Sequence, residues 1–582
     1  MKIERVHIQN FRNFNELDVR LGSHAVIVGE NRAGKSNFLY ALRLLLDPSL
    51  PDSARQLREE DFWDGLPRPL ADDARILIEI DLGEFESDEN QLAVLGGHLV
   101  SAKPMIARLT YSFHRIPGVT EQNSYEFSIY GGDRAENVVH GEIRRRLPFD
   151  FLAALRDAEG DLANWRRSPL RFLLEQAMAG VKPEELEVIS KKVTEATNAV
   201  GSLAEIKELC DEVTARLSAM VGSGYGGDFT LNLASTDAYK LVRALRPFVD
   251  AGRRGISEAS LGTANLIYLA LKSLEFEQLV DDGHRDHTFL GIEEPEAHLH
   301  PHLQRLSFRH FFEELVGETT TVLLTTHSPH IVSVAPLKNL VVIRSDPVDG
   351  SEAVSTVGVE FSEQEIADLQ RYLDVTRGEI MFGRGVLLVE GDGERFLVPA
   401  LAKLNGHDLD KLGITVCSIA GTNFQPYVKL LGLNGLDIPY AVLTDYDPTD
   451  NGLNLGLPRA KRLLEAAGMK VDKNLGDAAL REFVKVRGVF VNEHTLEVDL
   501  YRCGRHHCIG QVLAVLAPGD AARERALTWR DDPSTIDPTK YLSDITAIRK
   551  GRFAQRMAAR MTGTSCPPYI LQAIEYVAAE IS

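Results

Sequence analysis

The stretch Val26-Ile27-Val28-Gly29-Glu30-Asn31-Arg32-Ala33-Gly34-Lys35-Ser36 constrains this chain more than any other. The apolar run reads as a strand, and Gly29-x-x-x-x-Gly34-Lys35-Ser36 matches the P-loop pattern. The glycines let the backbone curl so that several N–H groups face one phosphate. A helix must follow, adding the positive potential of its N-terminus. Strand, phosphate-shaped loop and helix in that order commit the chain to an α/β core. Asn31 and Gly34 lie in the loop, Lys35 is expected to neutralise the β- and γ-phosphates of ATP, and the Ser36 hydroxyl to bind its Mg²⁺.

Around this element the pattern is regular. Residues 2–21 alternate apolar and polar (Ile3, Val6, Ile8, Phe11, then Leu17, Val19, Leu21), which predicts an antiparallel strand pair. A helix is expected from Lys35 to about Leu46, stopped by Asp47-Pro48, and strands at Arg75–Leu82, Met105–Phe113 and Tyr125–Tyr130. From about Phe149 to Leu245 the texture turns helical. Apolar residues in Lys182–Met220 (Leu186, Ile189, Val193, Ile206, Leu209, Val213, Leu217) have heptad-like spacing, and Gly222–Asp228 breaks it. Two readings stand: a helical subdomain inserted between core strands, or a dimerisation arm.

Thr288-Phe289-Leu290-Gly291-Ile292-Glu293-Glu294-Pro295 is a mostly apolar strand with two carboxylates at its end. That fits a Walker B element, Glu293 organising Mg²⁺ and Glu294 polarising water. Ser260-Leu261-Gly262-Thr263-Ala264-Asn265 resembles the abbreviated signature of ABC-type ATPases. Thr325-Thr326-His327-Ser328 ends a strand where that class places a γ-phosphate-sensing histidine. In this class the signature of one subunit completes the nucleotide site of another, so the resemblance implies a dimer.

A second site begins near residue 390. Val386-Leu387-Leu388-Val389 runs into Glu390-Gly391-x-x-Glu394, and Tyr440-Ala441-Val442-Leu443-Thr444 runs into Asp445-Tyr446-Asp447. Strand-like and helix-like runs alternate here, predicting a parallel sheet. In such a sheet ligands gather at the carboxyl ends of strands, where Glu390, Asp445 and Asp447 would meet. Oxygen donors without His or Cys favour Mg²⁺ or Mn²⁺, and two such ions can activate water and stabilise a leaving oxygen. The arrangement resembles a Toprim domain. Glu493 or Glu497 could add a ligand, with Glu497 preferred. Further on, a helical reading aligns Arg549, Arg552, Arg556 and Arg560 as a stripe suited to a DNA backbone. Lys550 falls with Phe553, Met557 and Met561 on the inward face, where a lysine needs a partner; an anionic site would supply it. Cys503-x-x-His506-His507-Cys508 crowds its donors too closely for a zinc site.

The chain has 582 residues, room for three or four domain-sized units. Its formal net charge is 64 − 84 = −20, which argues against a general nucleic-acid coat but leaves room for a nuclease with a local basic strip. Five cysteines in no framework pattern, no secretory segment and no apolar run long enough for a bilayer make a cytoplasmic location the expectation.

An ABC-type ATPase half followed by a Toprim half and by Lys550-Gly551-Arg552-Phe553-Ala554 resembles the OLD (overcoming lysogenization defect) nuclease family over nearly the whole chain. Phe11-Arg12-Asn13-Phe14, Leu155-Arg156-Asp157-Ala158 and Glu293-Glu294-Pro295-Glu296-Ala297-His298-Leu299-His300-Pro301 are similar as well. The resemblance implies four segments: an ATPase first part (1–150), an inserted helical dimerisation region (151–245), an ATPase second part (246–380) and a Toprim nuclease domain (381–582). It implies metal-dependent cutting of double-stranded DNA by Glu390, Glu394, Asp445, Asp447, Glu497 and Lys550. It also implies homo-oligomers built through the ATPase half, and anti-phage roles alongside a helicase-like partner or a retron reverse transcriptase and its DNA. Gly291 and the abbreviated signature depart from the ATPase pattern and leave open whether ATP is hydrolysed or sensed. The competing reading is a DNA-maintenance ATPase with a structural Toprim domain. A topoisomerase or primase would need a nucleophilic Tyr in a partner domain or a zinc module, neither of which the sequence offers.

Overall fold

Alternating burial builds the first layer. In the computed structural model Lys2–Phe11 pairs antiparallel with Phe14–Arg20 on one side and Arg75–Gly83 on the other. Ile3, Val6, Ile8 and Phe11 are fully buried; Val6 and Ile8 keep the two-residue period of a strand, which is broken by the register shift between Ile3 and Arg5 and by the positive φ of Asn10. Met105–Arg115 extends the sheet and pairs with Leu99–Ala102 and Tyr125–Gly131. The structure describes residues 1–116, 125–154, 157–201, 203–221, 229, 242–315, 319–346, 348–373, 375–449, 453–472 and 475–581.

A second sheet runs Gly350–Ser355, Leu340–Asp346, Ala25–Gly29, Thr320–Thr325, Thr288–Glu293, Phe149–Leu152. All its pairs are parallel except the first. The P-loop strand therefore sits inside the sheet, and its loop shares an edge with the ends of Thr288–Glu293 and Thr320–Thr325. The helix Lys35–Leu46 follows as expected and buries Phe38, Leu42 and Leu45 in the core shared with the antiparallel sheet. One difference is instructive: Phe149–Leu152, expected to open a helical region, is an edge strand paired with Phe289–Ile292. Four residues carry too little periodicity to announce a strand; the pairing partner defines it. The same pairing explains Gly291. A Cβ there would lie 2.5 Å from the Phe149 ring, so glycine is what lets that ring pack on the strand.

The third sheet, ordered Ile414–Ser418, Gly385–Val389, Tyr440–Thr444, Val489–Val491, is wholly parallel. Its inner strands are buried along their length or nearly so, which is why they read as continuous apolar runs. The helices Asp392–Leu404 and Pro568–Glu580 pack into its core through Leu397, Leu401, Ile570 and Ile574.

Two compact units result: Met1–Ala154 with Arg285–Glu296 and Pro301–Ser582, and Leu155–His284 with Ala297–His300. These three sheets belong to one unit, with the second and third tied together by Arg344, which donates to the carbonyls of Leu436 and Asp437; a two-stranded pair, Phe248–Val249 with Arg254–Gly255, belongs to the other. The other unit is mainly helical and runs past residue 245 to include Leu261–Asp281. Its helices Pro183–Gly201 and Ala204–Val221 carry the heptad-like residues. Ile189 and Leu209 are 48% and 51% exposed in the single chain. The break expected at Gly222–Asp228 lies outside the described residues, as do Leu155 and Arg156. Among the described residues no helix is long and apolar enough to cross a membrane.

Replacing Gly291 by Ala should cost about 1–3 kcal/mol through overpacking against Phe149. The check is a lowered melting temperature, restored in part by a second change, Phe149→Leu.

Candidate functional site

The P-loop closes on itself in a way that positive-φ glycine permits. Gly34, at φ 103°, caps the helix Lys35–Leu46. Lys35 is 6% exposed, and its Nζ donates to the carbonyls of Gly29 (2.9 Å) and Glu30 (2.8 Å). Burial lowers the Lys35 pKa, against the pull of Glu294, Glu296, Glu293 and Glu30. Asn31 is exposed at the loop tip.

Strand order delivers the other parts. The Ser36 hydroxyl donates to Glu293 Oε1, joining the two groups expected to share Mg²⁺. His327 Nε2 lies 3.6 Å from Glu294 Oε1, and burial together with the nearby Lys35 charge holds the imidazole below its usual pKa. Glu296, unassigned from the sequence, accepts from Thr326 Oγ1 (2.9 Å) and the His327 backbone N–H (2.7 Å); it fixes the loop bearing the histidine. Ser260 and Gly262 belong to the helical unit. There the Ser260 hydroxyl accepts from Thr263 N–H (3.2 Å) and caps Leu261–Asp281. Gly262 lets that helix approach His298, whose carbonyl a Cβ would meet at 2.7 Å.

In the third sheet the strands Gly385–Val389 and Tyr440–Thr444 are parallel neighbours, Val389 opposite Leu443. Glu390 and Asp445 each follow one of these ends and so must meet. Glu390 Oε1 accepts from Thr444 Oγ1 (2.5 Å), Asp445 N–H (3.0 Å) and Arg459 Nη1 (2.6 Å). The same guanidinium reaches Asp447 Oδ2 at 3.0 Å. Asp445 Oδ1 accepts from Asn492 Nδ2 (2.5 Å) and Leu496 N–H (3.0 Å). Glu394, in the first turn of Asp392–Leu404, accepts from Gly391 N–H at 3.2 Å. Glu497 Oε1 pairs with Lys550 Nζ at 3.0 Å, which favours Glu497 over Glu493 as the fifth carboxylate.

These acids repel one another. Burial, then the charges of Glu497 and Glu390, push the Glu394 carboxyl up to about 7, opposed by Lys550. Burial and the charges of Glu394, Glu390, Glu497 and Asp447 raise Asp445 well above the usual carboxylate range. Burial lowers the Lys550 pKa, but the pull of Glu497, Asp445 and Glu394 outweighs it and leaves the ammonium above its ordinary value.

The sequence placed some side chains differently. Lys550 is not on the inward face: its side chain is 52% exposed at the start of Lys550–Ala558, reaching Glu497 from the rim. Arg549 precedes that helix at φ 70° and Arg560 follows it, so the expected stripe is Arg552 and Arg556 on the helix with an arginine beyond each end. All four are exposed. Phe553 and Met557 are buried as expected. Cys503 Sγ donates to the Leu500 carbonyl and His507 meets Gln511, an arrangement unlike a zinc site. Arg459 and Asn492 were missed. Nothing in the spacing marks them, since each is joined to the carboxylates only by the strand crossovers.

The donor set suits divalent cations. Its ligands are hard oxygens, repulsion among them favours added positive charge, and Glu497 Oε2 is buried without a partner among the described residues. As they stand, no three His, Cys, Asp or Glu groups among the described residues are close enough to enclose an ion; Arg459 and Lys550 offset the charge. Holding cations would require Glu390 and Asp447 to release Arg459.

Comparison with known proteins bears on both halves. Residues 381–447 match the model of the overcoming lysogenization defect protein-like Toprim domain. Residues 1–101 and 166–332 match that of an AAA ATPase domain. The chain is 24% identical over 476 residues to Endonuclease GajA of Bacillus cereus, covering 77% of this chain and 75% of that one. It is 26% identical over 480 residues to the OLD nuclease of Thermus scotoductus, covering 76% and 82%. Among solved structures, the C-terminal region of the Burkholderia pseudomallei OLD protein is 41% identical, covering 34% of this chain and all of that one, with TM-score 0.33.

Two outcomes test this geometry. Arg459→Ala should lower the melting temperature in chelator, by about 1–3 kcal/mol of stability, because it leaves Glu390 and Asp447 uncompensated; Mn²⁺ should restore most of the loss. Glu394 binds its proton more tightly folded than unfolded. Its contribution to stability is therefore full below its ordinary pKa and is lost as pH rises through about 7. The gain in melting temperature on adding Mn²⁺ should accordingly be larger above pH ~7.5 than below pH ~6. An equal gain at both would argue against the cluster as the cation site.

Proposed function

Given that the chain belongs to the OLD family, with an ATPase half and a Toprim half, we propose that it is an ATP-regulated, divalent-metal-dependent DNA endonuclease. The observation that carries this reading is that Glu390, Glu394, Asp447 and Glu497 all lie within electrostatic reach of Asp445, with Lys550 paired to Glu497 at the rim. The five carboxylates would hold two ions, Mg²⁺ or Mn²⁺, which supply an activated water and charge stabilisation at a phosphodiester. Asn492 and Leu496 N–H keep Asp445 oriented. Lys550 would neutralise negative charge growing on the phosphate oxygens. Arg549, Arg552, Arg556 and Arg560 would track the backbone of double-stranded DNA.

In the ATPase half Lys35 and Ser36 would hold ATP with its Mg²⁺ together with Glu293, while Glu294 orients water and His327 reads the γ-phosphate. Regulation is supported by two links. Glu30 of the P-loop lies 4.0 Å from Arg384, just before the strand that ends at Glu390. Arg344, on the strand beside the P-loop strand, holds Leu436 and Asp437, just before the strand that ends at Asp445. A nucleotide that shifts the P-loop acts on both strands.

The exposed apolar residues of Pro183–Gly201 and Ala204–Val221 fit assembly into a homo-oligomer. A cytoplasmic role in anti-phage defence, beside a helicase-like partner or a retron, completes the reading. The alternative, a DNA-maintenance ATPase whose Toprim half does not cut, makes the opposite prediction in the same experiment.

That experiment is a supercoiled-plasmid assay with Mg²⁺, Mn²⁺ and ATP varied. Asp445→Ala should abolish nicking and Lys550→Ala should slow it by about 100-fold or more. Lys35→Ala should retain cutting but lose its response to ATP. Nicking by Asp445→Ala at the wild-type rate would refute the assignment.

A further inference from the structure

Arg459 bridges two of the acids expected to hold cations, and it is built into the site rather than laid over it. It belongs to the first turn of Gly456–Ala466. The start of that helix is pressed onto the acidic turn: Gly456 N–H donates to the Tyr446 carbonyl (3.0 Å), and a Cβ on Gly456 would collide with the Asp445 carbonyl. The side chain is therefore tethered at the strand ends, where it is 13% exposed.

Three of its N–H groups are in use. Nη1 donates to Glu390 Oε1 (2.6 Å) and to the Thr444 hydroxyl (2.6 Å), and Nη2 to Asp447 Oδ2 (3.0 Å). A guanidinium has five. Nε–H and one N–H of Nη2 have no acceptor among the described residues. Nε and Nη2 flank one edge of the guanidinium, the fork that fits two oxygens of a phosphate. Glu390 and Asp447 can serve cations only by letting go of Arg459. That would leave a guanidinium with little access to water and no anion, which is costly. Thr444 is neutral and 2% exposed; it can keep Nη1 in place but cannot balance its charge. Lys550 is paired elsewhere, with Glu497. With two divalent ions added and the five carboxylates ionised, Arg459 and Lys550 would leave the site a small positive excess, which one phosphodiester would neutralise.

We propose that Arg459 is a second phosphate-binding side chain of this site: it yields Glu390 and Asp447 to the cations and takes the phosphodiester in their place, so that cations and nucleic acid bind cooperatively. The proposal rests on the metal-site reading above. Its physical content is linkage. A phosphate that accepts from Arg459 removes the cost of parting it from the carboxylates, and by reciprocity bound cations free the guanidinium for the phosphate. Lys550 offers the phosphate a point charge, whereas Arg459 offers a planar fork that fixes its orientation.

The test is Mn²⁺ binding by the full chain, read from the spin-resonance signal of free Mn²⁺, without and with thymidine 5′-monophosphate (dTMP), a monoester with no phosphodiester to cut. Lys35→Ala is present throughout so that the P-loop does not take the probe. Asp445→Ala gives the Mn²⁺ held by other sites and by dTMP itself. With Arg459 in place, dTMP should tighten the Asp445-dependent Mn²⁺ binding by about fivefold or more. Arg459→Ala should tighten Mn²⁺ by about fivefold or more without dTMP and lose the dTMP response. Arg459→Lys keeps the charge without the fork; its Mn²⁺ affinity should stay near that of the parent and its dTMP response should fall. An arginine that merely held the site together would give the reverse, weaker Mn²⁺ binding in Arg459→Ala. That result, unchanged Mn²⁺ binding in Arg459→Ala, or a dTMP response that is missing from the parent or survives in Arg459→Ala, overturns the proposal. Absence of any Asp445-dependent Mn²⁺ binding would sink the metal-site reading and the proposal together, whereas Mn²⁺ binding indifferent to Arg459 sinks the proposal alone.

Discussion

Like charges forced together at the carboxyl ends of two adjacent parallel strands are the constraint on which the Toprim half depends. Glu390 and Asp445 cannot separate, because Val389 and Leu443 are locked opposite each other by the ladder. Glu394, Asp445 and Glu497 are 8%, 7% and 3% exposed, so water does little to screen them. The fold answers with fixed donors: backbone N–H groups of Asp445 and Leu496, the Asn492 amide, and the cations of Arg459 and Lys550. A buried anionic cluster held this way is tolerated rather than stable, and its hard oxygen donors are of the type that suits divalent cations.

The nucleotide half uses the same topological rule with the opposite sign of charge. Its P-loop strand lies between Leu340–Asp346 and Thr320–Thr325, so the loop, Glu293 and His327 emerge on one edge. Lys35, folded onto the carbonyls of its own loop, is the buried cation of that edge. The two strand-end clusters lie within one compact unit, their sheets tied by Arg344 and by Arg384 opposite Glu30. The overall charge of −20 includes these clustered carboxylates, while Arg549, Arg552, Arg556 and Arg560 stand exposed as a local basic group.

Much of both sites could be read directly. The P-loop, the Glu293-Glu294 strand end and the Glu390, Asp445 and Asp447 strand ends were legible because each motif needs a buried strand running into a turn, and continuous apolar runs announce buried parallel strands. Lys550 is joined to a carboxylate, but from the solvent-facing rim rather than the core, because it stands at the helix start where the 3.6-residue period has not yet taken hold. Arg549, held outside the helix by its positive φ, left the expected stripe for the same reason. The strand character of Phe149–Leu152 comes from its pairing with Thr288–Glu293 and not from its own four residues.

Local order is thus what the sequence by itself determined: which segments are strands ending in glycines or carboxylates, and hence that a P-loop and an acidic strand-end cluster share this chain. Only the tertiary structure decided the partners. Arg459 between Glu390 and Asp447, Asn492 on Asp445 and Glu296 beneath the His327 loop all depend on crossovers that bring distant segments to one edge. No sequence spacing encodes them, because a hydrogen bond between separate strands is set by sheet order and register, which the ladder fixes once the chain has folded.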